Sequence, residues 1–204
     1  MALRGLYAVT PDEADTALLV SKVQAALAGG MRLLQYRNKV ATPELRREQA
    51  LALKRACDAC GALLIINDHP HLAREVGAAG VHIGAEDGEI EAARAAVGAD
   101  GIVGVSCYRK IEVAVAAEKA GADYVAFGSF YPSSVKPGAV RAPIDLLRDV
   151  KRAVNVPVVA IGGITIANAP PLIEAGADAV AVITAVFGAS DVTAAARGFT
   201  GLFA

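Results

Sequence analysis

At 204 residues the chain has room for one domain with a sizeable core and not for two comfortable ones. Its net charge of −1, from 20 Lys and Arg against 21 Asp and Glu, excludes a basic field for nucleic acid, so any anion binding has to be local. Met1-Ala2-Leu3-Arg4-Gly5 enters a strand-like run without a charged leader, and no apolar stretch has membrane-spanning length, so a cytoplasmic protein with no membrane or nucleic-acid partner is expected.

In chain order, the first predicted strand is Gly5–Val9 and the second Arg32–Gln35, which opens into Gln35-Tyr36-Arg37-Asn38-Lys39. At strand period Gln35, Arg37 and Lys39 fall on one side of the chain. An amide, a planar guanidinium fork and a mobile ammonium converging where a buried strand emerges suit a multiply charged phosphate ester. Thr42-Pro43-Glu44 then starts a helix, with a hydroxyl N-cap and proline at the first helical position. At its tail lies Cys57-Asp58-Ala59-Cys60, which no glycine or proline turn places at a helix N-terminus. It reads as two half-buried helix residues, not a redox pair.

The third strand, Leu63–Asn67, runs into Asp68; the fourth, Gly80–Ile83, is followed by Glu86-Asp87. His82, in the fourth, reads as a satisfied strand-end residue, and with His69 and His71 it makes no zinc spacing. Ile102–Ser106 and Tyr124–Gly128 follow, the latter leading into Phe130-Tyr131-Pro132-Ser133-Ser134-Val135-Lys136-Pro137-Gly138. Val158–Gly162 precedes Gly163, and Ala179–Ile183 precedes Thr184.

Eight apolar runs separated by alanine-rich helical segments predict an α/β fold, a single (β/α)8 TIM barrel spanning residues 1–204 as one catalytic domain. Gly121-Ala122-Asp123-Tyr124-Val125-Ala126 is echoed by Gly176-Ala177-Asp178-Ala179-Val180-Ala181 and more loosely by Gly77 to Gly84, as repetition of one unit around an axis would give. No G-x-G-x-x-G follows the first strand, which argues against an open dinucleotide-binding sheet.

Barrel chemistry resides where strands run into helices, and those positions hold the polar residues. Asp68 and Asp87, on neighbouring strand ends, can share a hard cation, for which magnesium is the natural choice. Asn67-Asp68-His69-Pro70 is equally good capping chemistry. Gly162-Gly163 and Ile183-Thr184 follow the strands after which barrels often bind phosphate through backbone N–H groups, although Gly-Gly also simply turns a chain. Lys136, in a loop long enough to act as a lid, can bring a further cation over a leaving phosphate. No histidine is spaced in sequence to activate Ser106 or Cys107, so covalent acyl chemistry is not expected. Departure of phosphate or pyrophosphate is.

The ordered set Gln35-x-Arg37-x-Lys39, Asn67-Asp68, Gly80-Val81-His82-Ile83-Gly84-x-Glu86-Asp87, Gly104-Val105-Ser106, Tyr131-Pro132-Ser133-Ser134-Val135-Lys136 and Ala160-Ile161-Gly162-Gly163-Ile164 resembles the thiamine phosphate synthase family. The likeness implies a TIM-barrel transferase of thiamine biosynthesis. It would join 4-amino-2-methyl-5-hydroxymethylpyrimidine pyrophosphate to a thiazole phosphate, with Mg2+ required and pyrophosphate released. It puts the pyrimidine pyrophosphate against Gln35, Tyr36, Arg37, Asn38, Lys39, Asn67, Ser106 and Lys136, with Arg37, Lys39, Ser106 and Lys136 as the catalytic set. Asp68 and Asp87 become the metal ligands, and Ser133, Ser134, Val135, Gly163, Ile183 and Thr184 the thiazole phosphate site. The chain departs from the family pattern at Asn38, Ala85 and Val135, where many relatives carry Glu, Gln and Thr. Two alternatives stand beside this: a thiazole tautomerase of the same superfamily, whose histidine after the fifth strand is replaced here by Tyr108, and a non-catalytic barrel that binds thiazole or thiamine phosphates. Partners are small molecules, and homo-oligomerisation is left open.

Overall fold

Strands that are apolar on both faces need cover on both, and a filled barrel inside a ring of helices supplies it. The computed structural model describes residues 3–84, 89–133, 138 and 140–204. Its parallel strands close in chain order, β1 through β8, with β8 paired back onto β1. They are β1 Gly5–Val9, β2 Leu33–Tyr36, β3 Leu63–Asn67, β4 Gly80–Ile83, β5 Ile102–Tyr108, β6 Tyr124–Phe127, β7 Val158–Ile161 and β8 Ala179–Val182. The fold is the expected TIM barrel. β5 runs past its expected end, through a register shift between Ser106 and Tyr108, and Tyr108 closes it with a left-handed φ of 54°.

Around the barrel lie α1 Thr16–Ala28, α2 Pro43–Asp58, α3 Pro70–Val76, α4 Glu89–Val97, α5 Ile111–Lys119, α6 Asp145–Ala153, α7 Pro170–Glu174, α8 Thr184–Phe187 and α9 Val192–Gly201. None of these is long and apolar enough to cross a membrane. α2 starts as its sequence predicts, with Thr42 Oγ1 accepting from the Leu45 N–H at 3.3 Å. At its other end Cys57 is buried and Cys60 is exposed in the following turn, both as free thiols. Burial pushes the Cys57 thiol up to about 12, the opposite of what a redox thiol needs.

Alternate strand residues sort into two apolar layers. The larger packs the outer barrel face against the helices, with Leu34, Tyr36, Leu64, Ile66, Val81, Val105 and Val125 among its members. The smaller fills the interior with Tyr7, Val9, Leu33, Ile65, Tyr124, Ala126, Val159, Ala179 and Ala181.

The repeated Gly-Ala-Asp segments brace the barrel at the N-terminal ends of its strands. Asp123, ahead of β6, accepts the Val103 N–H of β5 at 2.7 Å; Asp178, ahead of β8, accepts the Val158 N–H of β7 at the same distance. Each also pairs with a cation, Asp123 with Arg94 and Asp178 with Lys151. One carboxylate thus satisfies a strand-initial donor that the ladder leaves open.

Candidate active site

At the opposite, C-terminal end of the barrel the polar residues gather in two sectors. The first is the exit of β2 and β3. Here the Arg37 backbone is held on both sides by one hydroxyl: its N–H donates to Thr10 Oγ1 at 2.9 Å, and that hydroxyl donates back to its carbonyl at 2.8 Å. Its guanidinium meets Asp12 at 3.3 Å, and the same carboxylate oxygen accepts the Lys39 N–H at 2.8 Å. Lys39 itself is exposed. Thr10 and Asp12 follow β1 and carry no signal of their own in the sequence, because their partners lie a full βα unit away.

Tyr36 and Asn38 alternate with Arg37 and spend their polar groups on the scaffold. The Tyr36 hydroxyl donates to Gln49 Oε1 at 2.8 Å, and Asn38 Nδ2 donates to the Glu13 carbonyl at 2.7 Å and to Gln49 Oε1 at 3.1 Å. Gln49, fully buried on α2, returns a bond to the Glu13 carbonyl at 2.9 Å. The departure Asn38 therefore ties the β2–α2 loop to the β1–α1 loop.

A cavity of about 270 Å³ opens beside this loop, lined by Tyr36, Asn38, Lys39, Arg46, Asn67, Asp68 and His69. Arg46, from the first turns of α2, was not expected from the sequence. Its Nη2 donates to the Ala41 carbonyl at 2.8 Å, while its buried Nε finds no partner among the described residues. A buried guanidinium N–H without an acceptor is costly unless an anion or water completes it.

Asp68 sits in the left-handed region, φ 60°, where Asp is one of the few tolerated side chains. Its N–H donates to the His82 carbonyl at 2.8 Å and its carboxylate accepts from Asn67 Nδ2 at 2.7 Å. The N-cap of α3 is His69, with no side-chain cap bond. Capping is thus not what occupies Asp68, and its carboxylate is held by its neighbour at the barrel mouth.

The second sector follows β7 and β8. Gly163 has φ 62°, and a Cβ there would run into the Pro132 carbonyl of the β6–α6 loop. Here glycine is required both by the backbone and by the closeness of that loop. The Gly163 N–H has no partner among the described residues, and Asn168 Nδ2 holds its carbonyl at 3.1 Å. The Tyr131 hydroxyl donates to the Asn168 carbonyl at 2.8 Å, so Asn168 links the two loops. Ile183 precedes α8 without a side-chain cap, and Thr184 begins that helix, exposed. Ser133 is half-buried in the β6–α6 loop. Asp87, Ser134, Val135 and Lys136, expected as metal and substrate residues, lie outside the described residues, as does Ala85.

Between the sectors the floor of the mouth is polar. Gln35 Nε2 donates to the Tyr7 hydroxyl at 2.9 Å, Tyr7 and Tyr124 hydroxyls meet at 2.7 Å, Tyr124 Oη lies 2.9 Å from His82 Nδ1, and His82 Nε2 lies 2.8 Å from Ser106 Oγ. Sequence spacing gives no sign of this last contact, because the two residues are distant along the chain, but β4 and β5 are adjacent and bring them together. It does not make a nucleophile. Burial depresses the imidazole from its ordinary 6.5 to about 4, so it is a poor base near neutrality, and no carboxylate backs its other nitrogen. Cys107 turns outward into the helix-facing layer, its thiol pushed up to about 12 by burial.

Known proteins of this kind share the whole chain. A family model described as thiamine monophosphate synthase matches residues 6–186. The thiamine-phosphate synthase of Azoarcus sp. (strain BH72) is 54% identical over 99% of this chain and 98% of its own, and that of Nitrosospira multiformis is 53% identical over 98% and 86%. Among solved structures, thiamine phosphate pyrophosphorylase from Pyrococcus furiosus superimposes with a TM-score of 0.86 at 36% identity, covering 98% of this chain and 95% of the other. Matched by that family model over residues 6–186 and about half identical to these relatives over nearly its whole length, the chain belongs to the thiamine monophosphate synthase family.

Proposed function

We propose that this transferase of thiamine biosynthesis makes thiamine phosphate by a dissociative substitution at the barrel mouth. The substrates are 4-amino-2-methyl-5-hydroxymethylpyrimidine pyrophosphate and 4-methyl-5-(2-phosphoethyl)thiazole. The bond from the methylene carbon to the pyrophosphate oxygen breaks first, the electron pair leaving with pyrophosphate. The thiazole nitrogen then supplies the pair for the new C–N bond. The whole chain acts as one catalytic domain, in the cytoplasm.

The observation that carries this reading is the division of the mouth into two anion-friendly sectors with no activated nucleophile between them. Around the β2 and β3 exits, Lys39 and Arg46 line one cavity with Asn67 and Asp68, Arg37 follows β2 beside Asp12, and these cations would receive the pyrophosphate. After β7 and β8, the N–H of Gly163 and the start of α8 at Thr184 would receive the thiazole phosphate, with Ser133, Ser134, Val135 and Ile183 beside it. Such a reaction asks the protein to hold two substrates in line and keep water out, not to supply a nucleophile.

Magnesium fits the donors at the first sector. The hard oxygens of Asp68, positioned by Asn67, suit an ion that is typically held by one or two carboxylates together with substrate phosphates, and Asp87, which follows β4 in the sequence, would supply the second. When bound it would neutralise charge on the departing pyrophosphate. Lys136, from the β6–α6 loop, would add a further positive charge there.

Incubating the protein with both substrates and magnesium, then separating products by chromatography, tests the reading. Equal amounts of thiamine phosphate and pyrophosphate are expected. Isomerised thiazole phosphate with no pyrophosphate would instead establish the tautomerase reading, and binding of both substrates without turnover the non-catalytic one.

A further inference from the structure

The interior of this barrel should be apolar, yet five polar side chains from five strands meet there in a continuous chain of hydrogen bonds: Gln35 on β2, Tyr7 on β1, Tyr124 on β6, His82 on β4 and Ser106 on β5. Tyr7, Gln35, His82 and Tyr124 are buried, and Ser106, at the end towards the mouth, is half-buried. The arrangement is built into the packing. A Cβ on Gly104 would overlap the Tyr124 ring, so only glycine leaves that ring its place. The ring stacks on His82 at 5.5 Å and meets Tyr7 edge-on at 5.8 Å.

Each link holds one proton, so the links cannot be ordered independently. An amide NH2 only donates, and Gln35 therefore fixes Tyr7 as an acceptor at that end. If Tyr124 also donated to Tyr7, the proton of the Tyr7 hydroxyl would be buried with no acceptor among the described residues, which is unfavourable. Tyr7 must then donate to Tyr124, and Tyr124 to His82 Nδ1. A neutral imidazole that accepts at Nδ1 carries its proton on Nε2, so His82 donates to Ser106 Oγ. The single Ser106 proton is left to point out of the chain.

We propose that this one-way proton order, from Gln35 through Tyr7, Tyr124 and His82, makes Ser106 an obligate hydrogen-bond donor to the anionic substrate at the barrel mouth. Tyr7, Tyr124 and His82 are then positioning residues that act through Ser106. The opposite order would commit the Ser106 proton to His82 and present only lone pairs to an anion. The proposal rests on the reading that Ser106 faces the pyrimidine pyrophosphate.

The test has two arms. Nitrogen-15 NMR of the histidine-labelled full-length protein, with His82 assigned by its loss in His82→Gln, reads the tautomer without substrate. A protonated Nε2 and a bare, accepting Nδ1 are expected, and the reverse tautomer or a doubly protonated ring at neutral pH overturns the proposal. The second arm is kinetic. Tyr124→Phe should lower kcat/KM for the pyrimidine pyrophosphate about tenfold, yet less than about twofold further in a Ser106→Ala background, because both losses remove one interaction. His82→Gln, which keeps an N–H near the Nε2 position, should retain more activity than His82→Leu. Independent, multiplying losses from Tyr124→Phe and Ser106→Ala would show that the chain does not act through Ser106. A protein that makes no thiamine phosphate at all would fail the functional reading, while the tautomer would still decide the proton order.

Discussion

Asp12 and Arg37, from the loops after β1 and β2, meet at 3.3 Å, and the Asp12 oxygen that accepts from the guanidinium also accepts the Lys39 N–H at 2.8 Å. One carboxylate thereby sets both the direction of a cation and the path of the loop bearing the next one. An ion pair as exposed as this contributes little to stability by itself, about 0–1 kcal/mol. Its value lies in placement. Asp12→Ala should leave the melting temperature nearly unchanged and raise the Michaelis constant for the pyrimidine pyrophosphate about tenfold, equivalent to about 1.4 kcal/mol. Asp12→Asn, which keeps the acceptor for Lys39, should cost less than about threefold. An equal rise in the thiazole constant would show that the loop is not specific to one substrate.

The metal assignment is best probed by Asp68→Asn, because Asn tolerates the left-handed backbone that Ala would strain. Turnover should fall about a hundredfold and the magnesium concentration needed for half-maximal rate should rise, with unfolding unaffected. Asp87→Asn should behave alike. An unaltered magnesium response in both variants would remove these two carboxylates from the metal site.

How far the sequence discloses this site depends on the range of the contacts. The strands β1, β3 and β4 are legible to the residue because runs such as Leu63–Asn67 are buried on both faces and bounded by turn signals. That Gln35, Arg37, Asn67, Asp68 and Gly163 stand at the mouth of the barrel is legible, because each lies where a predicted strand runs out towards a helix. The interior chain is not: Tyr7 and Tyr124 are 117 residues apart and each looks like an ordinary core aromatic. Arg46 is hidden for a related reason, since it lies among the charges of an amphipathic helix and only the tertiary packing turns it towards the cavity.

The buried imidazole predicts a pH dependence of stability. His82 is depressed from 6.5 to about 4, first by burial, with nearby Asp68 opposing. Between those values the unfolded chain takes up a proton that the native protein refuses, so its stabilising neutrality is fully present above 6.5 and is lost as pH falls towards 4. Denaturant titrations of the metal-free protein should show the wild type losing about 3 kcal/mol more than His82→Gln between pH 7 and pH 4. Parallel losses in the two proteins would mean that His82 is protonated in the fold.

Asp178 supplies a prediction at the end of the barrel remote from the site. Removing its carboxylate leaves the N–H of buried Val158, at the start of β7, without its 2.7 Å acceptor. Asp178→Ala should destabilise the protein by about 1–3 kcal/mol while both Michaelis constants stay put. Asp123→Ala should behave similarly at β5, where the Val103 N–H loses the same kind of partner. A change in substrate affinity from either variant would contradict the separation of the bracing end from the chemical end.

The thiazole sector is tested through Asn168 in preference to Gly163. Any side chain at Gly163 collides with the Pro132 carbonyl and also requires L-residue backbone at φ 62°, so a Gly163→Val variant would disturb the β6–α6 loop and the fold together. Asn168 touches the same features more gently: its amide holds the Gly163 carbonyl at 3.1 Å and accepts the Thr165 N–H at 2.7 Å, while its own carbonyl receives the Tyr131 hydroxyl. Asn168→Ala frees the Gly163 peptide but keeps the backbone contact to Tyr131. Calorimetric titration should then show thiazole phosphate binding weakened about tenfold and pyrimidine pyrophosphate binding changed by less than about twofold. The reverse pattern, with thiazole binding intact and pyrimidine binding lost, would exchange the two sectors and place the pyrophosphate on the strand ends of β7 and β8.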